Sequence, residues 1–343
     1  MALSARVDSP DRDLIERLEM QLAAGKPATA QWTKPPEDPT VFEGINRLCA
    51  TYGSLLEVRF YGWYTGQGVF DASLLRALPE VRRLSVDCLR AIDHIAALAD
   101  LPVLENLHFG VFEQPDGRFL ETLPLERLKR ISLVENRKRN FDLAPLARCT
   151  AVEDVFVQGH TRGIGALARL PRLRKLALSG MPKKQPLDFV NAMPALRELG
   201  LILGSRATID EMAHYALEKL SLIWVRTLGS LGDLARFPAL LELVVEDQLQ
   251  VTELDVTGSS LTGLRIRNCK KLAELRGLDT LDALEWIHVS QTALDLEPLR
   301  ERAWPAPTHA VGLFSGSRKW NEATKAALAA RGYVQFPHET LAA

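Results

Sequence analysis

The stretch LPRLRKLAL (Leu170–Leu178) decides the fold class of this chain, because the spacing of its apolar residues returns throughout the sequence. An apolar anchor, here Leu173, is followed by apolar residues at the fourth and sixth positions, Leu176 and Leu178. The stretch LPVLENLHF (Leu101–Phe109) has the same pattern. Alternation of apolar and polar residues over so few positions predicts a strand with one buried face.

The pattern recurs along most of the chain, and successive anchors lie 21 to 26 residues apart. That period is typical of leucine-rich repeats. The anchors are Leu55, Val81, Leu104, Leu128, Val152, Leu173, Leu196, Leu217, Leu240, Leu261, Leu284 and, in a degraded last copy, Thr308. No single copy can bury its apolar face alone, so we expect neighbouring strands to stack in parallel over one shared core.

The segments between the strands carry a second pattern. DLAPLAR (Asp142–Arg148) and DLEPLRE (Asp295–Glu301) place a proline where a short helical turn would begin. These segments resemble the convex side of the short-repeat, internalin-like class of bacterial leucine-rich repeat proteins, and the resemblance covers roughly residues 50–315. It implies an α/β solenoid: a leucine-rich repeat horseshoe with a parallel concave β-sheet, short helical or irregular convex segments, and helical caps at both ends.

Two departures from the family pattern are visible. The buried Asn that follows the strand in this family is absent from most copies, although Asn136 occupies the position, so we expect individually shaped loops. An extra apolar core at Val251, Leu254 and Val256 precedes the next anchor by only ten residues. Either a compact copy is inserted there, or a strand is joined by a very tight turn.

Three segments are predicted from these patterns. Residues 1–54 form an N-terminal helical cap and proline-rich linker, residues 55–315 hold about 11–12 repeats, and residues 316–343 form a C-terminal helical cap. Within the caps we expect helices over about residues 10–24, over Thr40–Tyr52 and over Asn321–Gly332, with Asn321 as N-cap. The proline-rich segment Lys26–Thr40 is predicted to be extended.

Composition and motifs narrow the function class. The net charge of −1 argues against nucleic-acid or anionic-membrane binding by bulk attraction. No apolar run approaches the roughly 18 residues of a membrane span, and the acidic N-terminus is not typical of a secretory signal. Four unevenly spaced cysteines favour a reducing cytoplasm. The spacing of His, Cys and acidic residues predicts neither a metal site nor a cofactor, and we expect a monomer in isolation.

The residues between the buried anchors should line the concave face of the sheet. Apolar residues there predict an exposed patch that binds a protein partner of unknown identity, with a charged rim of alternating sign at the third repeat position. The predicted patch is Val134, Phe156, Ile202, Ile223, Trp224 and Val244. The predicted rim is Arg130, Asp154, Lys175, Glu198, Lys219 and Glu242.

The leading interpretation is a non-catalytic protein–protein interaction module, which includes inhibitor and immunity-type proteins. The first alternative is an enzyme or enzyme regulator with a site on the concave strands, where Ser85, Asp87 and His108 fall close together. A deep pocket lined by titratable groups would favour it, and the repeat positions predict no such pocket. The second alternative is nucleic-acid binding, supported only by the basic loop ENRKRN (Glu135–Asn140).

Overall fold

A computed structural model describes residues 5–62 and 69–335 of the chain, so the last residues of the predicted C-terminal cap, 336–343, lie outside the described part. The chain divides into two compact units, Met1–Leu173 and Arg174–Ala343, which we call unit 1 and unit 2. Each unit contains a parallel sheet whose strands follow one another at the repeat period. The predicted solenoid of leucine-rich repeats is therefore confirmed within each unit.

Unit 1 begins with two helix-linked strands and continues with the repeats. Its helices are α1 (Arg12–Ala23) and α2 (Thr40–Tyr52). Its strands are β1 (Ala5–Asp8), β2 (Ala28–Trp32), β3 (Leu56–Tyr61), β4 (Phe70–Asp71), β5 (Arg83–Leu89), β6 (Ile92–Asp93), β7 (Asn106–Val111), β8 (Arg130–Leu133) and β9 (Asp154–Gln158). The main sheet has the order β1, β2, β3, β5, β7, β8, β9, and β4 pairs with β6 separately.

Unit 2 continues the same plan. Its strands are β10 (Lys175–Ser179), β11 (Glu198–Ile202), β12 (Lys219–Ile223), β13 (Glu242–Glu246), β14 (Glu253–Asp255), β15 (Gly263–Arg267), β16 (Glu274–Arg276), β17 (Trp286–Ser290) and β18 (Ala310–Phe314). Its main sheet has the order β10, β11, β12, β13, β15, β17, β18, while β14 pairs with β16. Its helices are α3 (Glu297–Glu301) and α4 (Arg318–Ala330).

The return segments are mostly short 3-10 helices, as the proline positions predicted. Pro145 lies in the first turn of Ala144–Arg148, and Pro298 lies in the first turn of α3. The further 3-10 helices are Gly53–Leu55, Ala72–Ala77, Ile95–Asp100, Phe119–Glu121, Leu125–Arg127, Ile164–Arg169, Asp188–Ala192, Leu234–Arg236 and Leu278–Thr280.

The core of each unit lies between the sheet and these return segments. The anchors Leu173, Leu196 and Leu217 are fully buried, and the fourth and sixth positions behind them are buried as well. Neighbouring strands pair in repeat register; for example, Leu176 pairs with Leu199. Parallel stacking thus places equivalent apolar residues side by side in one continuous core.

The N-terminal segment differs from the prediction. Residues 1–54 were predicted as a helical cap with an extended linker, but they also supply β1 and β2 to the main sheet. Ala28, Ala30 and Trp32 of β2 are buried and in register with Leu56, Val58 and Phe60 of β3. The prolines of the linker lie outside Ala28–Trp32, so the ladder keeps its N–H donors within the strand. The two predicted helices are confirmed as α1 and α2.

The extra apolar core between the anchors Leu240 and Leu261 is a return segment. β13 pairs directly with β15, and the intervening β14 pairs with β16 in a separate two-stranded sheet. Of the two alternatives for Val251, Leu254 and Val256, the inserted compact copy is therefore wrong: the segment holds the short strand β14, which lies outside the main sheet. The return segments after β13 and after β15 each contain a short strand, β14 and β16.

The C-terminal helix begins earlier than predicted. Ser317, not Asn321, is the N-cap of α4, and its hydroxyl accepts a hydrogen bond from the Trp320 N–H at 3.3 Å. Asn321 instead accepts a bond from the Ser315 N–H at 2.8 Å and fixes the chain entering the helix. Leu328 is buried and packs the helix onto unit 2.

Different polar side chains bond the backbone in the turns after the strands, in agreement with the prediction of individually shaped loops. His160 is buried, with its ring nitrogens 3.0 Å from the Val134 carbonyl and 3.1 Å from the Phe141 N–H. Buried Gln248 donates to the Leu222 carbonyl at 3.1 Å. These loops satisfy their backbone groups individually, which removes the cost of burying them unpaired.

Substitution of two glycines tests the packing of β14 against β16. Gly277 has a φ of 81°, and a Cβ there would overlap the Thr257 backbone, whereas Gly258 has a φ of 69° with open space around it. Both substitutions to Ala strain the backbone, so Gly277→Ala should lower the free energy of unfolding by about 1–3 kcal/mol more than Gly258→Ala. Denaturant unfolding measures the difference, and equal losses would contradict the packing of β14 against β16.

Candidate functional site

Four apolar residues at the ends of β11 and β12 form a surface that we call the apolar ridge: Ile202, Leu203, Ile223 and Trp224. Ile202 and Ile223 are register partners and are half-buried. Leu203 and Trp224 follow them directly and are 42% and 51% exposed. Because adjacent strands lie about 4.8 Å apart, the four side chains form one apolar surface in unit 2.

The backbone of the ridge is left-handed where it leaves the sheet. Leu203 and Trp224 have φ angles of 60° and 50°. The Leu203 N–H donates to the Ile223 carbonyl at 2.8 Å, and the Trp224 N–H donates to the Glu246 carbonyl at 2.9 Å. The left-handed residue therefore adds one bond to the ladder and then turns the chain away from the sheet.

The same conformation follows the neighbouring strands of unit 2. The equivalent left-handed residues are Gly180, Asp247, Asn268 and Gln291. Gly tolerates this region freely, and Asn and Asp adopt it more readily than other residues. A bulky side chain there costs about 1–2 kcal/mol. Gln291 is also not a residue that favours this region, but among these positions only Leu203 and Trp224 place a large apolar side chain there.

Three other residues of the predicted patch are less exposed. Val134 and Phe156 of unit 1 are half-buried. Val244 is only 9% exposed, so its predicted exposure on the concave face is wrong. Its register neighbour Arg265 is held to Glu246 at 3.2 Å, and the long Arg265 side chain beside Val244 accounts for the burial.

The residues of the predicted charged rim form ion pairs with one another. Its residues are Arg130, Asp154, Lys175, Glu198, Lys219 and Glu242. The Arg130 guanidinium lies 3.0 Å from the Asp154 carboxylate in unit 1. In unit 2, Lys175 lies 3.5 Å from Glu198, and Lys219 lies 2.6 Å from Glu242. Exposed pairs of this kind contribute about 0–1 kcal/mol each. The alternating signs therefore match the strand register within the chain.

A polar cleft on the first strands of unit 1 is a second feature, which the sequence did not predict. Two cavities of about 190 and 320 Å³ share Glu57, Ser85 and His108 as lining residues. Arg59 and Asp87 line the larger cavity. The expectation that the concave strands hold no pocket with several titratable groups is therefore wrong. Glu57 was missed because it lies at the third position of an early repeat, ahead of Arg130, the first residue of the predicted rim.

A bidentate ion pair organises the larger cavity. Arg59 donates to both carboxylate oxygens of Asp87 at 2.8 Å and to the Gln31 side-chain carbonyl at 3.2 Å. The guanidinium also lies 4.5 Å from the centre of the Tyr61 ring. Bidentate pairing fixes the geometry as well as the charge. Asp87 is thereby committed to Arg59.

The structure brings Ser85, Asp87 and His108 together without forming a catalytic triad. The Ser85 hydroxyl donates to Glu57 at 2.5 Å instead of to His108. The His108 Nε2 lies 3.7 Å from the Asp87 carboxylate, beyond hydrogen-bonding distance. Nucleophilic catalysis requires the nucleophile to contact its base. The arrangement suits binding better than acyl transfer.

The cleft also sets the protonation of His108. Burial against the cleft walls lowers the pKa of the imidazole, and the Asp87 and Glu57 carboxylates offset this only in part. The Arg59 guanidinium lowers the pKa further. The ring is therefore predominantly neutral at pH 7, with one nitrogen donating and the other accepting.

The part of the chain that the structure describes holds no group of three or more His, Cys, Asp or Glu side chains suited to a metal ion. Among the described helices, none combines the length and apolar character needed to cross a membrane.

The left-handed backbone of the ridge can be tested by substitution. Trp224→Asn should leave the free energy of unfolding unchanged or raise it by about 1 kcal/mol, because Asn tolerates a φ of 50°. Ile223→Asn, on extended backbone, is the control and should be destabilising. Denaturant unfolding compares the two, and a loss of more than about 1 kcal/mol for Trp224→Asn would contradict the backbone strain.

The electrostatics of the cleft can be tested at His108. Asp87→Asn should lower the pKa of His108 further, because it removes an attractive carboxylate and leaves Arg59 uncompensated. An NMR pH titration of the imidazole measures this shift. Glu105→Gln is the control, since Glu105 does not contribute to the His108 pKa. A higher pKa in the Asp87 variant would contradict the described geometry.

Similarity to known proteins is limited to solved structures at low sequence identity. No protein-family model matches the sequence, and no curated protein matches it. The chain is similar to an internalin (inlF) from Listeria monocytogenes, with 15% identity, a TM-score of 0.47, and coverage of 83% of this chain and 78% of that chain. A second Listeria monocytogenes internalin, C2 (inlC2), has 16% identity and a TM-score of 0.42, with coverage of 70% of this chain and 93% of that chain. The Drosophila Toll–Spatzle complex has 15% identity and a TM-score of 0.48, with coverage of 92% of this chain and 53% of that chain. This chain thus spans about half of that one. Strand register, repeat period and buried anchors together show that each unit has the leucine-rich repeat fold.

Proposed function

We propose that this chain is a protein–protein interaction module that binds a protein partner through the apolar ridge of unit 2. The observation that carries the proposal is the conflict at Leu203 and Trp224. Both residues adopt a left-handed backbone that disfavours them, and both expose a large apolar side chain. Strained backbone and exposed apolar surface together are typical of binding sites.

The chemistry of the ridge favours a protein partner. Burial of the exposed half of the Trp224 indole would contribute about 2–3 kcal/mol. Aromatic anchors of this kind dominate the energy of protein interfaces. The equivalent positions Asp247 and Asn268 show that the repeat itself accepts polar residues there. The apolar character is thus a property of this place and not of the fold.

The remaining residues of the predicted patch and rim have smaller roles in the proposal. Val134 and Phe156 offer a second, half-buried apolar contact in unit 1. The rim pairs would add specificity more than affinity, because each charge already has a partner within the chain. Val244 is buried and is not proposed as a contact.

A module of this kind acts by occupying its partner. We include an inhibitor or immunity-type role in the proposal, since neither requires chemistry from this chain. A cytoplasmic location is also proposed. Its support is three buried free thiols, Cys49, Cys149 and Cys269, whose pKa values burial raises to about 12, 12 and 11. Thiols held protonated suit a reducing compartment.

Substitution of the two exposed ridge residues tests the proposed function. The double variant Leu203→Asn/Trp224→Asn should weaken partner capture about 30-fold or more, because hot-spot truncations cost about 2 kcal/mol or more. Its melting temperature should stay close to that of the wild type. The measurement is affinity capture from native lysate followed by quantitative binding of the recovered partner.

The matched control is Tyr215→Asn, because Tyr215 is also an aromatic residue of unit 2 and is 67% exposed. This variant should capture the partner as the wild type does. Equal capture by the double variant and the wild type would refute the proposed function, as would equal loss in the double variant and the control.

A further inference from the structure

The smaller cavity of the polar cleft lies across four neighbouring strands of unit 1. Its third-position row runs in register through Glu57, Arg83, Asn106 and Arg130. Two arginines therefore stand on either side of Asn106, one strand away from it in each direction. With strands about 4.8 Å apart, a group above Asn106 lies within reach of both guanidinium groups.

The adjacent row supplies further hydrogen-bonding groups. His108 and Ser132 are register partners at the fifth position, and both line the same cavity. The Asn106 amide and the Ser132 hydroxyl make no side-chain hydrogen bond to any residue that the structure describes. The His108 side chain is 35% exposed, and its Nε2 lies 3.7 Å from Asp87. Hydrogen-bonding groups on neighbouring strands thus converge on one space.

The arginines of the cavity outnumber its carboxylates. Arg83 and Arg130 line it together with a single carboxylate, Glu57. That carboxylate is already engaged, because it accepts from the Ser85 hydroxyl at 2.5 Å and from the Thr29 hydroxyl at 3.2 Å. The second carboxylate near the arginines, Asp154, pairs with Arg130 from outside the cavity lining, so within the lining two guanidinium groups face one carboxylate.

Both arginines keep donors for a further ligand. Arg83 donates to the Ser54 carbonyl at 3.1 Å and reaches Glu57 only at 3.5 Å. Arg130 pairs with Asp154, which lies outside the cavity lining, through its Nε at 3.0 Å. A guanidinium carries five N–H donors, so each side chain can bind an additional anion.

We propose that the smaller cavity of unit 1 is an anion-binding site that takes one phosphate or carboxylate group. Arg83 and Arg130 bind the charge from two sides, and Asn106 and Ser132 donate hydrogen bonds from the floor. Pockets for drug-sized ligands have volumes of about 300–1,000 Å³. This cavity, at about 190 Å³, is smaller, and its size fits a single anionic group. Guanidinium groups are common protein ligands for such anions.

The anion can come from two sources, a free ion or an acidic side chain of a protein partner. This site lies in unit 1 and uses none of the ridge residues. Loss of the ridge in Leu203→Asn/Trp224→Asn therefore leaves it intact, and failure of one proposal is separable from failure of the other.

The test is a titration of the full chain, observed at the His108 imidazole by NMR. The two probes are inorganic phosphate and a hexaglutamate peptide. A bound anion stabilises the imidazolium, so saturation should raise the pKa of His108. The groups that face this ring are Asp87, Glu57, Arg59, Arg83 and Arg130. Because they are present in the free and bound states alike, the pKa change reports the added anion.

Arg130→Ala removes one of the two guanidinium groups and should weaken binding about tenfold or more, since a charged hydrogen bond contributes about 1.5–3 kcal/mol. Arg162→Ala is the matched control, because Arg162 is an exposed arginine of unit 1 that pairs with Asp142 at 3.2 Å, outside the cavity. Asn106→Ala is a second variant that keeps the charge and removes a floor donor. It should weaken binding about threefold to tenfold.

Saturable phosphate binding that weakens in both cavity variants supports a free anion as the ligand. Binding of hexaglutamate but not phosphate, with the same dependence on Arg130 and Asn106, supports an acidic group carried by a partner. The proposal is overturned if neither probe shifts the His108 resonance, if the cavity variants leave binding unchanged, or if Arg162→Ala weakens binding as much as Arg130→Ala.

Discussion

Every feature of the described surface depends on one constraint, the alternation of buried and exposed residues along each strand. The anchor and the fourth and sixth residues must face the core, because no repeat can bury its apolar face without its neighbours. A shift of one residue would expose that face. The intervening side chains are therefore fixed in rows at the strand spacing. The rim ion pairs and the cavity of unit 1 are consequences of those rows.

The exit from each strand is a second constraint, and it explains why the apolar ridge stands out. After β10, β11, β12, β13 and β15 of unit 2 the next residue is left-handed, a conformation that prolongs the ladder by one bond and then turns the chain away from the sheet. Neighbouring copies meet this requirement with Gly, Asp, Asn or Gln. Leu203 and Trp224 instead carry large apolar side chains, on a strained backbone that is hydrogen-bonded to the next strand. A rigid anchor loses little conformational entropy when a partner binds.

Periodicity in the sequence predicts the repeats correctly. The mispredicted features depend on which strands pair and which side chains meet, and neither can be read from spacing. The repeat period, the anchors, α1 and α2 can be read from local pattern alone. The strand β2 was missed because Ala28–Trp32 is short and adjoins a proline-rich stretch. β14 has the correct apolar spacing but pairs with β16, and spacing does not reveal the partner of a strand. Val244 was predicted to be exposed because the sequence does not show that Arg265, on the next strand, lies beside it and pairs with Glu246. The polar cleft was missed because the sequence does not show that Glu57 and Ser85 lie together and share a hydrogen bond. Leu203 was missed although Trp224 at the same repeat position was predicted, because apolar spacing does not reveal the left-handed turn that exposes it.

Hydroxyl-radical footprinting of the free protein tests the central claim most directly, because it reads side-chain exposure residue by residue. After each rate is divided by the intrinsic reactivity of its residue type, we expect slow oxidation of Leu222, faster oxidation of Ile202 and Ile223, and the fastest at Leu203 and Trp224. Oxidation of Leu222 as fast as that of Trp224 would contradict the alternation along β12. A Trp224 indole as protected as Leu222 would remove the apolar ridge.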